Sequence, residues 1–149
     1  MLRYLNPETK KDPEQFWSLH DRPFFGFGAC HILAGVFLLQ PENSDFKGVW
    51  IKPRGEFRGN HVIVTNGIWA FDYHGYSRSE KLLDHFRESQ TNSSPGWISD
   101  QITVEFNLLC TKALNANNMR GPDQYFKNPM PRAKEFINRF KSKRSDIGV

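Results

Sequence analysis

The chain lacks the residues and runs that mark several common protein classes. It has two cysteines in 149 residues, too few for the disulfide framework of a small secreted domain. Both Cys30 and Cys110 lie inside apolar segments with no tight spacing, so reduced thiols and a cytoplasmic setting are expected. No apolar run approaches the roughly 18 residues of a membrane span; the longest, residues 32–39, is about half that. The N-terminus, MLRYLNPETKKDPEQF, is polar and broken by proline where a secretory signal needs an apolar core. No membrane partner is expected. Ligand pairs such as CxxC or HxxxH are also missing, so neither a metal nor a cofactor is expected. No repeat or low-complexity linker divides the chain, and its length suits one domain over residues 1–149.

Charge is present in slight excess. The formal net charge is +4, concentrated in RAKEFINRFKSKR at residues 132–144. Two readings stand for that segment: a solvated helix face, or a surface for an acidic partner or nucleic acid.

Along the chain, residues 1–29 read as mostly loop, with a short helical turn over 13–19. Phe24, Phe25 and Phe27 then form an aromatic cluster among glycines. Residues 30–39 are apolar apart from His31 and read as a buried helix that Gln40-Pro41 terminates, because proline cannot continue it. Strands are expected at 48–51, 61–65 and 68–72. Ser77 with Glu80 offers a capping box for a following helix, residues 89–96 read as loop, 102–116 as helix, and 131–143 as a last amphipathic helix. These elements predict an α+β domain with a central antiparallel sheet and the helix that begins at Cys30 packed on it. The core of interest spans about residues 24–86, followed by a helical region over about 99–143.

Asn66-Gly67 between β-branched and aromatic runs is a strong hairpin signal, since both residues tolerate the positive φ of a type I′ turn. With those two as the turn, Thr65 pairs with Ile68, Val64 with Trp69, and His61 falls directly opposite Asp72. The two would share a face with Ile63 and Ala70, against which the 30–39 helix could pack. Cross-strand partners keep their Cβ atoms about 4.5–5.5 Å apart, close enough for an imidazole–carboxylate hydrogen bond.

Thiol catalysis needs a thiolate, favoured at a helix N-terminus and beside an imidazolium. It also needs a histidine to move protons and a third group to orient that ring. Cys30, His61 and Asp72 supply these parts in that order. The order Cys at a helix start, His on a strand and Asp on the next strand resembles the papain-like and transglutaminase-like superfamily of cysteine enzymes. GACHILA, then NHVIV, the NG turn and FDYHG, is similar to small bacterial and phage proteins of that type. The resemblance covers about residues 24–86.

The resemblance implies Cys30 as nucleophile, His61 as base and Asp72 as the orienting acid. It implies thioester chemistry on a protein or peptide-like amide, by hydrolysis or acyl transfer, without a cofactor. Papain-like peptidases carry a glutamine shortly before the cysteine; residues 22–27 contain none. The backbone N–H of Cys30 is one oxyanion donor, and Asn60, His20 and His31 are candidates for a second, with His74 a further candidate for substrate contact. The plainer alternatives are a structural thiol at Cys30, a core thiol at Cys110, a structural His61–Asp72 pair, and His31 as a packing or gating residue. A metal site from Cys30, His61, Asp72 and His31 or His74 is the least favoured. The rival function is a non-catalytic interaction protein that uses the basic C-terminal helix.

Overall fold

A computed structural model describes residues 7–149; residues 1–6 of the segment read as loop lie outside the described residues. That segment is more helical than its sequence suggests. Three short helices occupy it, α1 (Pro7–Lys11), α2 (Pro13–Trp17) and α3 (Asp21–Phe27). The α2 start follows from local chemistry: Asp12 accepts from the N–H groups of Glu14 and Gln15, and Pro13 takes the first helical position. The apolar run forms α4 (Cys30–Leu39) and ends where Gln40 turns extended ahead of Pro41. Helices α3 and α4 meet at 97° across Gly28 and Ala29. Among the described residues, no single helix is long and apolar enough to cross a membrane.

Five strands form one antiparallel sheet: β1 (Lys47–Pro53), β2 (His61–Thr65), β3 (Trp69–Asp72), β4 (Gly75–Arg78) and β5 (Ser99–Thr103), in the order β4-β3-β2-β1-β5. The protein is therefore α+β, with α5 (Ser79–Ser93), α6 (Thr111–Ala116), α7 (Pro129–Asn138) and α8 (Lys141–Ile147) completing it.

Several expectations are corrected. Of the helix expected over 102–116 only 111–116 forms; residues 99–103 are instead a strand held by its backbone pairing with β1, with Ile102 exposed. Ser77 lies in β4, and α5 begins at Ser79 without a side-chain cap, so no Ser77–Glu80 capping box forms. The helix then runs on through Ser93, across much of the segment read as loop. The C-terminal helix is two helices, interrupted at Arg139-Phe140.

The helix α4 also covers the other face of the sheet from the one expected. Val62, Val64 and Phe71 join Ile32, Leu33, Val36 and Phe37 in the main core. Ile63, Ala70 and Ile51, on the His61 face, pack with Leu82 of α5 and Trp97. The reason is capacity. Helix α4 is apolar nearly all round and needs the bulkier valine and phenylalanine face, whereas α5 buries only a narrow stripe. Helix α7 closes the main core with Ala133, Phe136 and Ile137.

Much of the C-terminal positive charge is bound within the fold. Arg132 and Arg139 both pair with Asp21, at 2.7 and 2.9 Å. Arg132 also donates to the Trp17 carbonyl at 2.7 Å, and Arg144 donates to the Glu42 carbonyl at 2.8 Å and to the Asn43 side chain. Lys134, Lys141 and Lys143 remain exposed.

Candidate active site

Cys30 is the first residue of α4 and is partly exposed; Cys110 caps α6 and is exposed, not buried in the core as expected. The approach to Cys30 is crowded. A β-carbon on Gly28 would lie 2.7 Å from Cζ of Phe16, a ring that is itself buried. Tyr125 donates its hydroxyl to the Gly28 carbonyl at 2.6 Å. Glycine is needed at 28 for close approach and not for an unusual backbone angle, since its φ is −168°. Gly28→Ala is expected to cost about 1–3 kcal/mol of stability by overpacking, read as a lower urea midpoint.

The hairpin places His61 and Asp72 together by a different register from the one expected. Thr65 pairs with Ala70 and Val64 with Phe71, so residues 66–69 form the connection. Of the two expected turn residues only Gly67 has positive φ, at 97°, so the type I′ condition fails. The Asn66 side chain explains the longer turn: its Oδ1 accepts from the N–H groups of Ile68 and Trp69, at 3.0 and 2.8 Å. Continuing the pairing puts Ile63 opposite Asp72 and leaves His61 on the diagonal. A slip of two residues preserves the face, and a diagonal partner is within reach of a long side chain. His61 Nε2 accordingly donates to Asp72 Oδ2 at 2.9 Å, with both residues buried.

That bond leaves Nδ1 of His61 for the thiol. Burial alone would push the Cys30 thiol up; hydrogen bonds to His31 and His61, with the positive charge of those rings, overturn this and lower its pKa to about 5. Burial likewise opposes the charged form of His61, yet the bonds to Asp72 and Cys30 raise its pKa to about 10. For Asp72 the burial penalty is outweighed by His61 and His74, which hold its carboxyl well below the usual carboxylate range. Thiolate, imidazolium and carboxylate therefore stabilise one another in the order that thiol catalysis requires.

The surrounding residues differ in how far they match expectation. His74 occupies the β3–β4 turn, and both its backbone N–H and its Nδ1 reach Asp72 Oδ1, at 2.8 and 3.1 Å. Asp72 is thus held from two sides. His31 points into the site and not away from it. It is buried, interacts with the Cys30 thiol, and donates Nε2–H to the Arg120 carbonyl at 2.6 Å. Asn60 is turned to structure, its Oδ1 accepting from Trp50 Nε1 at 3.0 Å. His20 directly precedes α3 and is exposed. Among the described residues no cluster of three or more His, Cys, Asp or Glu side chains could hold a metal.

Sequence reasoning missed the packing around the imidazole and the contacts from the C-terminal half. Phe86 of α5 stacks on His61 at 5.2 Å between centroids, and Tyr73 meets it edge-on at 5.5 Å. Phe86 falls on the apolar stripe of α5 with Leu82 and Leu83, so its burial was legible, but its partner was not. Tyr125 and Arg120 lie in an irregular segment with no periodicity, and nothing local in the sequence connects them to Cys30. No family model, curated protein or solved structure matches this chain.

Proposed function

We propose that this protein is a thiol-dependent hydrolase or acyltransferase that acts on an amide or related acyl bond, with a papain-like or transglutaminase-like core. The observation that carries this reading is the buried His61–Asp72 bond at 2.9 Å, with the His61 ring near enough to Cys30 to lower the pKa of its thiol. The Cys30 thiolate adds to the substrate carbonyl carbon, and the carbonyl π electrons move onto oxygen. First-turn N–H groups of α4, which have no intrahelical acceptor, receive that oxyanion. The intermediate collapses to a thioester as the C–N bond breaks, and His61 gives its proton to the departing amine. Water or a second amine then attacks the thioester, losing its proton to His61 and returning the thiolate. Asp72 holds the His61 tautomer throughout and stabilises the imidazolium. Peptidase, amidase, deamidase and transglutaminase-like reactions share these steps and differ in the amide and acceptor admitted.

The test is the pH dependence of alkylation by iodoacetamide, followed residue by residue by peptide mass spectrometry. Lowering a thiol pKa to about 5 increases the thiolate fraction but reduces intrinsic nucleophilicity. The two effects leave Cys30 roughly tenfold faster than free cysteine at about pH 6 and no faster at about pH 8. A rate that is level from about pH 6 upward is therefore the signature, with His61→Ala moving the midpoint up. A Cys30 rate that climbs in parallel with free cysteine in the wild-type protein overturns the reading.

A further inference from the structure

We propose that the acyl substrate is anionic, and that Lys10 and Arg120 bind its carboxylate or phosphate group beside the Cys30 thiol. The proposal rests on the cysteine chemistry above and adds the class of molecule on which it acts.

Two cations from distant parts of the chain converge on the backbone that leads into α4. Lys10 Cε lies 3.3 Å from the position a β-carbon on Gly28 would take, two residues before the thiol. Arg120 reaches the same stretch by two routes. Its carbonyl receives the His31 ring, and its guanidinium carbon lies 5.4 Å from the centroid of Tyr125, whose hydroxyl is bonded to the Gly28 carbonyl. A third cation, Arg22, is close enough to act electrostatically on Tyr73, the ring packed against His61.

None of these three has a carboxylate partner among the described residues. Arg54, Arg87, Arg132 and Arg139 do, pairing with Asp100, Asp84 and Asp21. Burial disfavours the Lys10 ammonium most; the nearby Cys30 thiolate favours it, and the Arg120 charge, a smaller influence, repels it. Thiolate, imidazolium and carboxylate together carry one net negative charge, which the three nearby cations outnumber. The surplus near the thiol is positive. Arg120 also lines a shallow depression of about 320 Å³, with Asn115, Asn118, Met119 and Gln124. The Arg120 guanidinium suits a hydrogen-bond-accepting anion.

Two alkylating agents of nearly equal size, iodoacetate and iodoacetamide, differ in charge and supply the test. The ratio of their rates at Cys30, divided by the same ratio for free cysteine, is expected to favour iodoacetate by roughly tenfold at low salt. High salt should erode the preference, and Lys10→Gln combined with Arg120→Gln should abolish it. A wild-type ratio equal to that of free cysteine overturns the proposal. A second measurement does not depend on thiol reactivity: backbone amide NMR shifts at Gly28, Ala29, Cys30 and His31 during titration with succinate or with inorganic phosphate. Saturation by either, lost in the double variant, supports the site and identifies carboxylate or phosphate as the group taken. Shifts that do not saturate with either anion overturn it. If Cys30 resists both alkylating agents, the cysteine chemistry fails while the titration still decides the anion site.

Discussion

Replacing Asp72 by asparagine is expected to abolish the low-pH reactivity of Cys30 and to destabilise the protein severely, although the two side chains are nearly the same shape. The carboxylate accepts from His61 Nε2 and from the backbone and ring of His74. An amide keeps one acceptor, contributes a donor that faces N–H groups, and carries no charge. His61 is 2% exposed. Without the carboxylate, burial is the largest influence on its ring and favours the neutral form. The thiol then loses the adjacent imidazolium that helps hold it near 5, and the midpoint of the alkylation profile should move up by more than one pH unit. Removing one member of a buried charged pair costs about 3–5 kcal/mol, which is a large share of the total for a domain of this size. Both readouts come from one preparation: the iodoacetamide profile and the urea midpoint. A variant with the wild-type alkylation profile would show that Asp72 only supports the fold.

His74→Ala separates positioning from charge. Its ring donates to Asp72 but is itself 35% exposed, so its loss leaves the His61–Asp72 bond in place. A smaller upward shift of the thiol midpoint than in Asp72→Asn is the expected order.

The legibility of the site in the sequence follows the range of each interaction. Helix α4 matches its expected limits because its signals are local: an unbroken apolar run closed by Gln40-Pro41. Strand β2 likewise matches, since alternation and β-branching act within a few residues. The hairpin turn was legible as a turn and misread as a type. The distinction lay in the Asn66 side chain, which satisfies two backbone N–H groups more readily than a left-handed Asn66 backbone would. His61 and Asp72 nevertheless remain neighbours, because a slip of two residues returns each side chain to its own face. Which face α4 covers was not legible. That choice depends on a comparison between two helices of different apolar width, and the full extent of α5 through Ser93 was itself hidden in a polar sequence. His31, Arg120 and Tyr125 illustrate the limit most directly. His31 bonds to Arg120 across 89 residues and Tyr125 to Gly28 across 97, each through a carbonyl group that any residue could supply.

Stability should be level across neutral pH in the wild-type protein and should slope downward in Cys30→Ser. Below its usual 6.5 the unfolded imidazole is protonated, and below its usual 9.0 the unfolded thiol is protonated. In the folded state the thiol pKa is lowered to about 5 and the imidazole pKa raised to about 10. The Cys30 contribution is therefore fully present above 9 and lost as pH falls through 5. The His61 contribution is fully present below 6.5 and lost as pH rises through 10. Counting protons on the two groups, the folded pair holds one from about 5 to about 10; the unfolded pair holds two below 6.5, one from there to 9, and none above. Stability thus rises from 5 to 6.5, stays level to 9, and declines beyond it. Protonation of Asp72 lowers it further below the usual carboxylate value of 3.8. In Cys30→Ser the compensation is gone while Asp72 still holds the His61 proton. Stability should then fall from about pH 6.5 upward by about 1.4 kcal/mol per pH unit. Urea midpoints of the two proteins at about pH 7 and about pH 8.5 decide the matter. Parallel curves would mean that Asp72 alone does not hold the proton on the buried His61 ring once the thiol is gone.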